Sequence, residues 1–212
     1  MSSRLSYVWL ATRRGVSAGA AAGLLRAFGS PEAVFAADRA ALTTARECPL
    51  RKVQVDALCD KSTDEAEHIV AQCAKDGIQI ITLGDSAYPD RLRAIENPPV
   101  VLYVRGKWPD FDVTPGIAVV GTREATPYGL QTAEHIGSAL GKAGFITVSG
   151  MALGNDGAAH RGALRAGGLT VAVLAGGVDV CYPPQHRSLM GDILLSGAIV
   201  SEYPPGTEPK GA

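Results

Sequence analysis

Four short stretches of the sequence combine glycine with hydroxyl, charged or aromatic residues in a way suited to holding an anion. They are Gly121-Thr122-Arg123-Glu124-Ala125-Thr126, Ser149-Gly150-Met151-Ala152-Leu153-Gly154-Asn155-Asp156, Gly176-Gly177-Val178-Asp179-Val180-Cys181-Tyr182-Pro183-Pro184 and Ser201-Glu202-Tyr203-Pro204-Pro205. Glycine lets a backbone approach a ligand closely. The first two stretches run towards predicted helices, whose first amides and positive dipole end favour phosphate. Arg123 adds a guanidinium fork for a phosphate oxygen. The glycines Gly150, Gly154 and Gly157 are spaced G-x-x-x-G-x-x-G, which is not the dinucleotide pattern. No G-x-x-x-x-G-K-[ST] is present. Phosphate affinity is therefore expected, while no cofactor, neither NAD nor ATP, is indicated.

Each of these residues also has a plainer reading. Arg123 could pair with Glu124 or with solvent. Asp156 and His160 lie four residues apart on one predicted helix face, which suits an intrahelical pair or a cap as well as catalysis. Ser149 and Ser201 have no evident base, so no nucleophilic triad is indicated. Tyr182 and Tyr203 could stack on bases, a contact worth about 1–3 kcal/mol, or could anchor the proline-rich turns that follow them.

The elements that must position these loops follow from the apolar pattern. Ile117–Val120 reads as a buried parallel strand ended by Gly121. A helix over 127–143 follows, with Thr126 as N-cap and Pro127 at its first position. Phe145–Val148, a helix over 156–166, strand Thr170–Leu174, a helix over 186–195 and strand Ala198–Val200 complete a β-α-β-α-β-α-β run. Right-handed crossovers then predict a doubly wound, Rossmann-like parallel sheet covered on both faces, with ligands at the carboxyl ends of the strands. Upstream, Ile78–Ile81 and Val100–Val104 read as strands, and 109–116 as a linker. The region before them reads as short helices: 5–12, 17–28, one restarting at Ser30-Pro31, 50–58 and 63–75. The expected division is a small all-helical domain over 1–72 and an α/β domain over 73–212.

Composition narrows the function class. With 46% hydrophobic and 19% charged residues, a chain of 212 residues can bury a core. No run reaches the roughly 18 apolar residues of a membrane span. The apolar stretch after Met1-Ser2-Ser3-Arg4 is too short for a secretory leader, so a cytoplasmic location is expected. Cys48, Cys59, Cys73 and Cys181 form no C-x-x-C pair and match no zinc spacing, so they read as reduced thiols and no metal site is expected. A net charge of −1 is unlike that of a protein that coats polyanions, so binding to nucleic acid would need a local basic pocket or one completed by dimerisation.

Read in order, the loops resemble the DprA/Smf family of DNA-processing proteins. Val119-Val120-Gly121-Thr122-Arg123 with Tyr128-Gly129 is similar to its V-G-[ST]-R…Y-G opening. Ser149-Gly150-Met151-Ala152-Leu153-Gly154-Asn155-Asp156 through His160 is similar to S-G-x-A-x-G-I-D-x-x-A-H. Gly168–Gly177 with Tyr182-Pro183, and Ser201-Glu202-Tyr203-Pro204, are similar to G-x-T-[IV]-A-V-L…G…Y-P and S-E-[YF]-P. Tyr88-Pro89…Leu92 and Pro98–Tyr103 match Y-P-x-x-L and P-P-x-x-L-[YF], so the resemblance covers residues 78–209 in order. It implies a helical SAM-like domain followed by a Rossmann-like domain. It further implies a non-enzymatic protein of natural transformation that binds and protects single-stranded DNA, helps load RecA and forms homodimers. On that resemblance the DNA or phosphate contacts are Gly121, Thr122, Arg123, Ser149, Gly150, Gly154, Asp156, Gly176, Gly177 and Tyr182. Leu153 stands where the family commonly has Arg or Lys, and Asn155 where it has Ile. The sequence ends at Glu208-Pro209-Lys210-Gly211-Ala212, where the family continues with F-P-x-R-N-R-I-I. A chain truncated there is expected to leave a sheet edge open. Two other readings remain: a nucleotide-binding sensor or phosphoribohydrolase-like protein, on the strength of Gly121-Thr122-Arg123-Glu124, and an inactive remnant.

Overall fold

The computed structural model of the chain describes residues 2–45 and 48–209, so the closing Lys210-Gly211-Ala212 lies outside the described residues. The chain divides into two compact units, one running up to Asp76 and including Ile80–Leu102, the other made of Gly77–Gln79 and the chain from Tyr103 onward.

The first unit is built on α1 (Ser3–Thr12), α2 (Ala18–Phe28), α3 (Pro31–Ala36), α4 (Arg39–Thr44), α5 (Lys52–Cys59) and α6 (Asp64–Lys75), followed by β1 (Gln79–Thr82), α7 (Asp90–Arg93) and the start of β2 (Val101–Gly106). Short polar residues start the helices. The side chains of Ser2, Ser17, Ser30 and Asp38 accept the N–H of the residue three positions on, which satisfies one of the otherwise orphaned donors. The core holds Val8, Trp9, Leu10, Leu24, Val34, Leu42 and Leu58, all fully buried. Trp9 meets Phe35 edge-on at 4.9 Å, and the Lys61 ammonium lies over both rings. Burial lowers the pKa of Lys61, whose ammonium donates to the Ala37 carbonyl. The six-residue α4 is an element that the sequence pattern did not predict. Its Asp38 cap and the Arg39–Asp56 ion pair at 2.7 Å hold it in place.

The second unit continues β2 and adds β3 (Gly116–Ala118), α8 (Pro127–Lys142), β4 (Ile146–Ser149), α9 (Asn155–Arg165), β5 (Thr170–Val173), a 3-10 turn (Pro184–His186), α10 (Arg187–Ser196) and β6 (Ala198–Ser201). The strand order is β1-β2-β6-β5-β4-β3. Strands β3 to β6 pair in parallel, as expected of a Rossmann-like fold, while β2 runs antiparallel to β6. Helices α8 and α9 pack backbone to backbone. A Cβ on Gly137 would fall 2.1 Å from the Ala159 carbonyl oxygen, and one on Gly162 would fall 2.0 Å from that of Glu134. Only glycine permits this approach.

One expectation is corrected here. Ile117–Val120 does not form a buried strand: β3 spans three residues, ends the sheet and is exposed along its length. Val120 is 73% exposed, and Val113 and Tyr128 also face outward. The apolar run reflects pairing on one side only, to β4. The sheet is therefore not covered on both faces at this edge among the described residues.

Candidate functional site

The loops after β3 and β4 are fastened to each other by side chains from the second. Ser149 Oγ donates to the Val119 carbonyl at 2.6 Å. The buried Asp156 carboxylate accepts from two backbone donors, Gly121 N–H at 3.3 Å and Gly150 N–H at 3.0 Å. Asn155 N–H donates to the Thr122 carbonyl at 3.2 Å. Gly154 makes this contact possible: its φ is +75°, and a Cβ there would lie 2.2 Å from the Thr122 carbonyl oxygen. Within the first loop, Thr122 Oγ1 accepts from Glu124 N–H, and Thr126 Oγ1 caps α8 by accepting from Gly129 N–H.

The expected phosphate cradle at the start of α9 is closed by the chain itself. Gly157 N–H donates to the Ala152 carbonyl and Ala158 N–H to the Gly154 carbonyl, while Asp156 puts a negative charge in the first turn. Nor do Asp156 and His160 pair. His160 is fully buried, and its Nδ1 lies 2.6 Å from Thr170 Oγ1, which itself donates to the Thr147 carbonyl. Nδ1 is therefore the protonated nitrogen of a neutral ring. Burial, reinforced by the charges of His186 and Arg161, lowers its pKa to about 3. His186, which the sequence reading did not single out, fixes the β4–α9 loop from the other side. Its buried Nδ1 lies 2.9 Å from the carbonyl oxygen of Met151, a buried residue with a φ of +56°. A Cβ on Gly157 would collide with the His186 ring.

The third and fourth loops also close on each other. Gly177 N–H donates to the Thr207 carbonyl at 2.8 Å, and Gly206 N–H to the Asp179 carboxylate at 2.9 and 3.0 Å. A Cβ on Gly176 would meet the Thr207 carbonyl oxygen and Pro209. These glycines make room for the 204–209 segment. Ser201 Oγ donates to the Leu174 carbonyl and accepts from Tyr203 N–H. Burial raises the pKa of Glu202.

Between these loops lies an open cavity of about 140 Å³. Four of the residues singled out from the sequence line it: Arg123, Gly150, Gly176 and Tyr182. Ala152, Leu153, Leu174, Ala175, Val180, Pro183 and Pro209 supply the remaining wall. Gly121, Thr122, Ser149, Gly154, Asp156 and Gly177 do not line it; their contacts hold the loops that do. Arg123 is exposed and forms no ion pair with Glu124 or any other carboxylate among the described residues. Tyr182 presents a half-exposed ring. Beside one unneutralised guanidinium stand an aromatic ring and a leucine, valine and proline wall. That arrangement suits a ligand with one anionic group and one flat apolar face. Both serine hydroxyls near the loops donate to carbonyls, so neither is poised as a nucleophile. Among the described residues no cluster of His, Cys, Asp and Glu could hold a metal ion, and no helix is long and apolar enough to cross a membrane.

The family model for DNA recombination-mediator protein A matches residues 79–212, which takes in the sheet and all four loops. The chain belongs to the DprA/Smf family. Protein Smf of Synechocystis is 44% identical over 62% of this chain and 34% of its own length. The putative DNA processing protein DprA of Mycobacterium tuberculosis is 39% identical over 71% of this chain and 41% of its own. DprA of Bacillus subtilis is 34% identical over 67% of this chain and 48% of its own. This DprA/Smf chain thus spans between a third and a half of the length of these curated relatives. The crystal structure of DprA from Streptococcus pneumoniae superposes with a TM-score of 0.76 at 26% identity, covering 97% of this chain and 70% of that one. DprA from Helicobacter pylori, described for its single-stranded DNA binding mode, gives a TM-score of 0.52 at 33% identity over 62% of this chain and 59% of that one.

Proposed function

We propose that this DprA/Smf chain binds single-stranded DNA at the cavity between its β-strand loops, and that it does so without catalysing a reaction on it. Arg123 takes a backbone phosphate, and Tyr182 with the Leu153–Val180–Pro183 wall takes the face of a base. The observation that carries this reading is the unpaired Arg123 guanidinium lining a cavity that it shares with Tyr182, Leu153, Val180 and Pro183. A guanidinium reads phosphate by paired hydrogen bonds, and base–aromatic contact tolerates any sequence. The absence of catalysis is supported by the two serine hydroxyls, which are committed to backbone carbonyls. Of the rest of the predicted set, Gly150 and Gly176 form part of the cavity wall, while Asp156, Ser149 and Gly154 hold the loops and Gly121 and Gly177 leave room for them.

The test is fluorescence anisotropy of labelled oligo(dT) at low and moderate salt, with the wild-type chain beside Arg123→Ala. Salt-sensitive binding that the substitution weakens supports the reading. Equal affinity of the two proteins refutes it. The finer roles implied by the family, loading of RecA, a homodimer, a place in natural transformation and a cytoplasmic setting, are part of the same proposal. They are checked by RecA filament assembly on coated oligo(dT) and by sedimentation of the chain alone.

A further inference from the structure

We infer that the first compact unit carries a second contact surface for a nucleic-acid backbone, formed by Arg14, Arg51 and Lys52. It rests on the single-stranded DNA reading for the identity of the polyanion, and uses none of the residues of the cavity. A single carboxamide brings the three together. Buried Gln54 donates through Nε2 to the Gly15 carbonyl at 2.8 Å, and accepts through Oε1 from Arg51 N–H at 2.8 Å. The turn after α1 is thereby fixed against the first turn of α5. A Cβ on Gly15 would lie 3.8 Å from Val53 Cγ1. Arg14 adjoins Gly15, and Lys52 adjoins Arg51, so all three cations stand on neighbouring backbone. All three are exposed.

Their charge is left standing. Nearby carboxylates are engaged elsewhere: Asp56 with Arg39, and Asp60 and Glu65 with Arg13. Among the described residues no carboxylate pairs with Arg14, Arg51 or Lys52. Two of the cations, moreover, sit at the cap and first position of α5, which has no acidic residue in its first turn. The helix dipole disfavours cations there. Placing the two cations there costs stability. Three clustered cations reinforced by a helix dipole suit the evenly spaced charges of a phosphodiester chain. The exposed Val53 beside them offers apolar contact to sugar or base.

The experiment measures oligo(dT) affinity against salt for the full chain, for Arg14→Gln/Arg51→Gln/Lys52→Gln, and for a control that removes equal charge from the same unit, Arg4→Gln/Arg26→Gln/Arg91→Gln. Gln54 is retained, and thermal melting of each variant establishes that it folds. Each phosphate contact to a single strand contributes about 0.7 to the slope of log K against log salt. The patch variant is expected to lower that slope by about 2, which is about 16-fold less affinity lost between 50 and 200 mM salt, while the control keeps the wild-type slope. A wild-type slope in the patch variant overturns the inference, and so does an equal fall in both variants. A surface for an acidic protein would give the first of these results. Arg123→Ala separates the two sites. If it abolishes binding while the patch variant keeps its slope, the cavity stands and the patch falls. If it binds normally while the patch variant does not, the reverse holds. A folded wild-type chain that binds no oligo(dT) refutes both.

Discussion

Replacing Asp156 by Asn isolates the contact that joins the two anion-facing loops. The carboxylate sits in a buried position and accepts from Gly121 N–H and Gly150 N–H, donors that come from the ends of different strands. Hydrogen bonds to a charged acceptor each contribute roughly 1.5–3 kcal/mol. The Asn amide keeps one acceptor and turns an NH₂ towards the other backbone donor. One charge-assisted bond is lost, the second is weakened, and a buried N–H is left facing another donor. The expected cost is about 2–4 kcal/mol. Urea unfolding of the purified chain measures it, with Ser149→Ala as a yardstick. That variant removes only the neutral bond to the Val119 carbonyl and should cost about 1 kcal/mol. Under conditions where Asp156→Asn remains folded, its oligo(dT) affinity should also fall, because Gly150 lines the cavity and Arg123 lies two residues beyond Gly121. Stability within about 0.5 kcal/mol of wild type would mean that the carboxylate does not clamp these loops, and the account of the site's architecture would fail.

The buried neutral His160 should make the chain acid-sensitive. An unfolded histidine is protonated below pH ~6.5, whereas in the native state the proton is refused down to about 3. The unfolded state thus binds the extra proton, and each pH unit in that window costs about a factor of ten in the folding equilibrium. The measurement is stability at pH 7, 5 and 4 for wild type and His160→Gln; identical pH slopes would contradict it. Gly154→Ala should destabilise the chain by about 1–3 kcal/mol from its sparsely populated, positive-φ backbone conformation alone. The 2.2 Å approach to the Thr122 carbonyl adds to this, and thermal melting reports the sum. The open β3 edge should self-associate: Ile117→Lys, at an exposed position of that strand, is expected to lower concentration-dependent light scattering. No change in scattering would remove the edge as the cause.

The sequence made the local decisions readable. Ser17, Ser30-Pro31 and Thr126-Pro127 mark helix starts because capping depends only on neighbours within one turn, and the structure places α2, α3 and α8 there. The parallel β3–β6 core followed from the spacing of apolar runs, and Arg123 stood out as a cation beside glycine after a strand. What could not be read was set by partners remote in sequence. An apolar run such as Ile117–Val120 looks the same in a central strand as in an edge strand. The antiparallel course of β2 is fixed by β6, nearly a hundred residues on. Asp156 looked like part of an anion site because nothing local shows that its carboxylate meets Gly121. Gly176 and Gly177 stood out as DNA or phosphate contacts, and nothing local shows that they also make room for the 204–209 segment. Leu174 and Val180 carry no chemistry of their own and became visible only as walls of the cavity, while Leu153, noted in the sequence only as a departure from the family's Arg or Lys, proves to be part of the same wall. His186, in a proline-rich turn, gave no signal of its bond to the Met151 carbonyl.

A net charge of −1 sets the whole chain apart from proteins that coat nucleic acid by general attraction. Net charge, however, counts groups that neutralise one another within the fold. Arg13, Arg39, Arg93 and Arg165 each have a carboxylate partner, and those pairs present little field to a ligand. Asp156 is also withdrawn, since its charge is spent on two backbone amides. The positive potential is then set by the cations left without partners, and its position matters more than its sum. Arg123 lines the cavity with no carboxylate partner among the described residues, so a phosphate there need displace no competing carboxylate. Binding through so few cations should be modest in affinity and shallow in salt dependence, with a slope that counts individual residues. In such a chain one arginine should be measurable against the whole, which a densely basic surface would not allow.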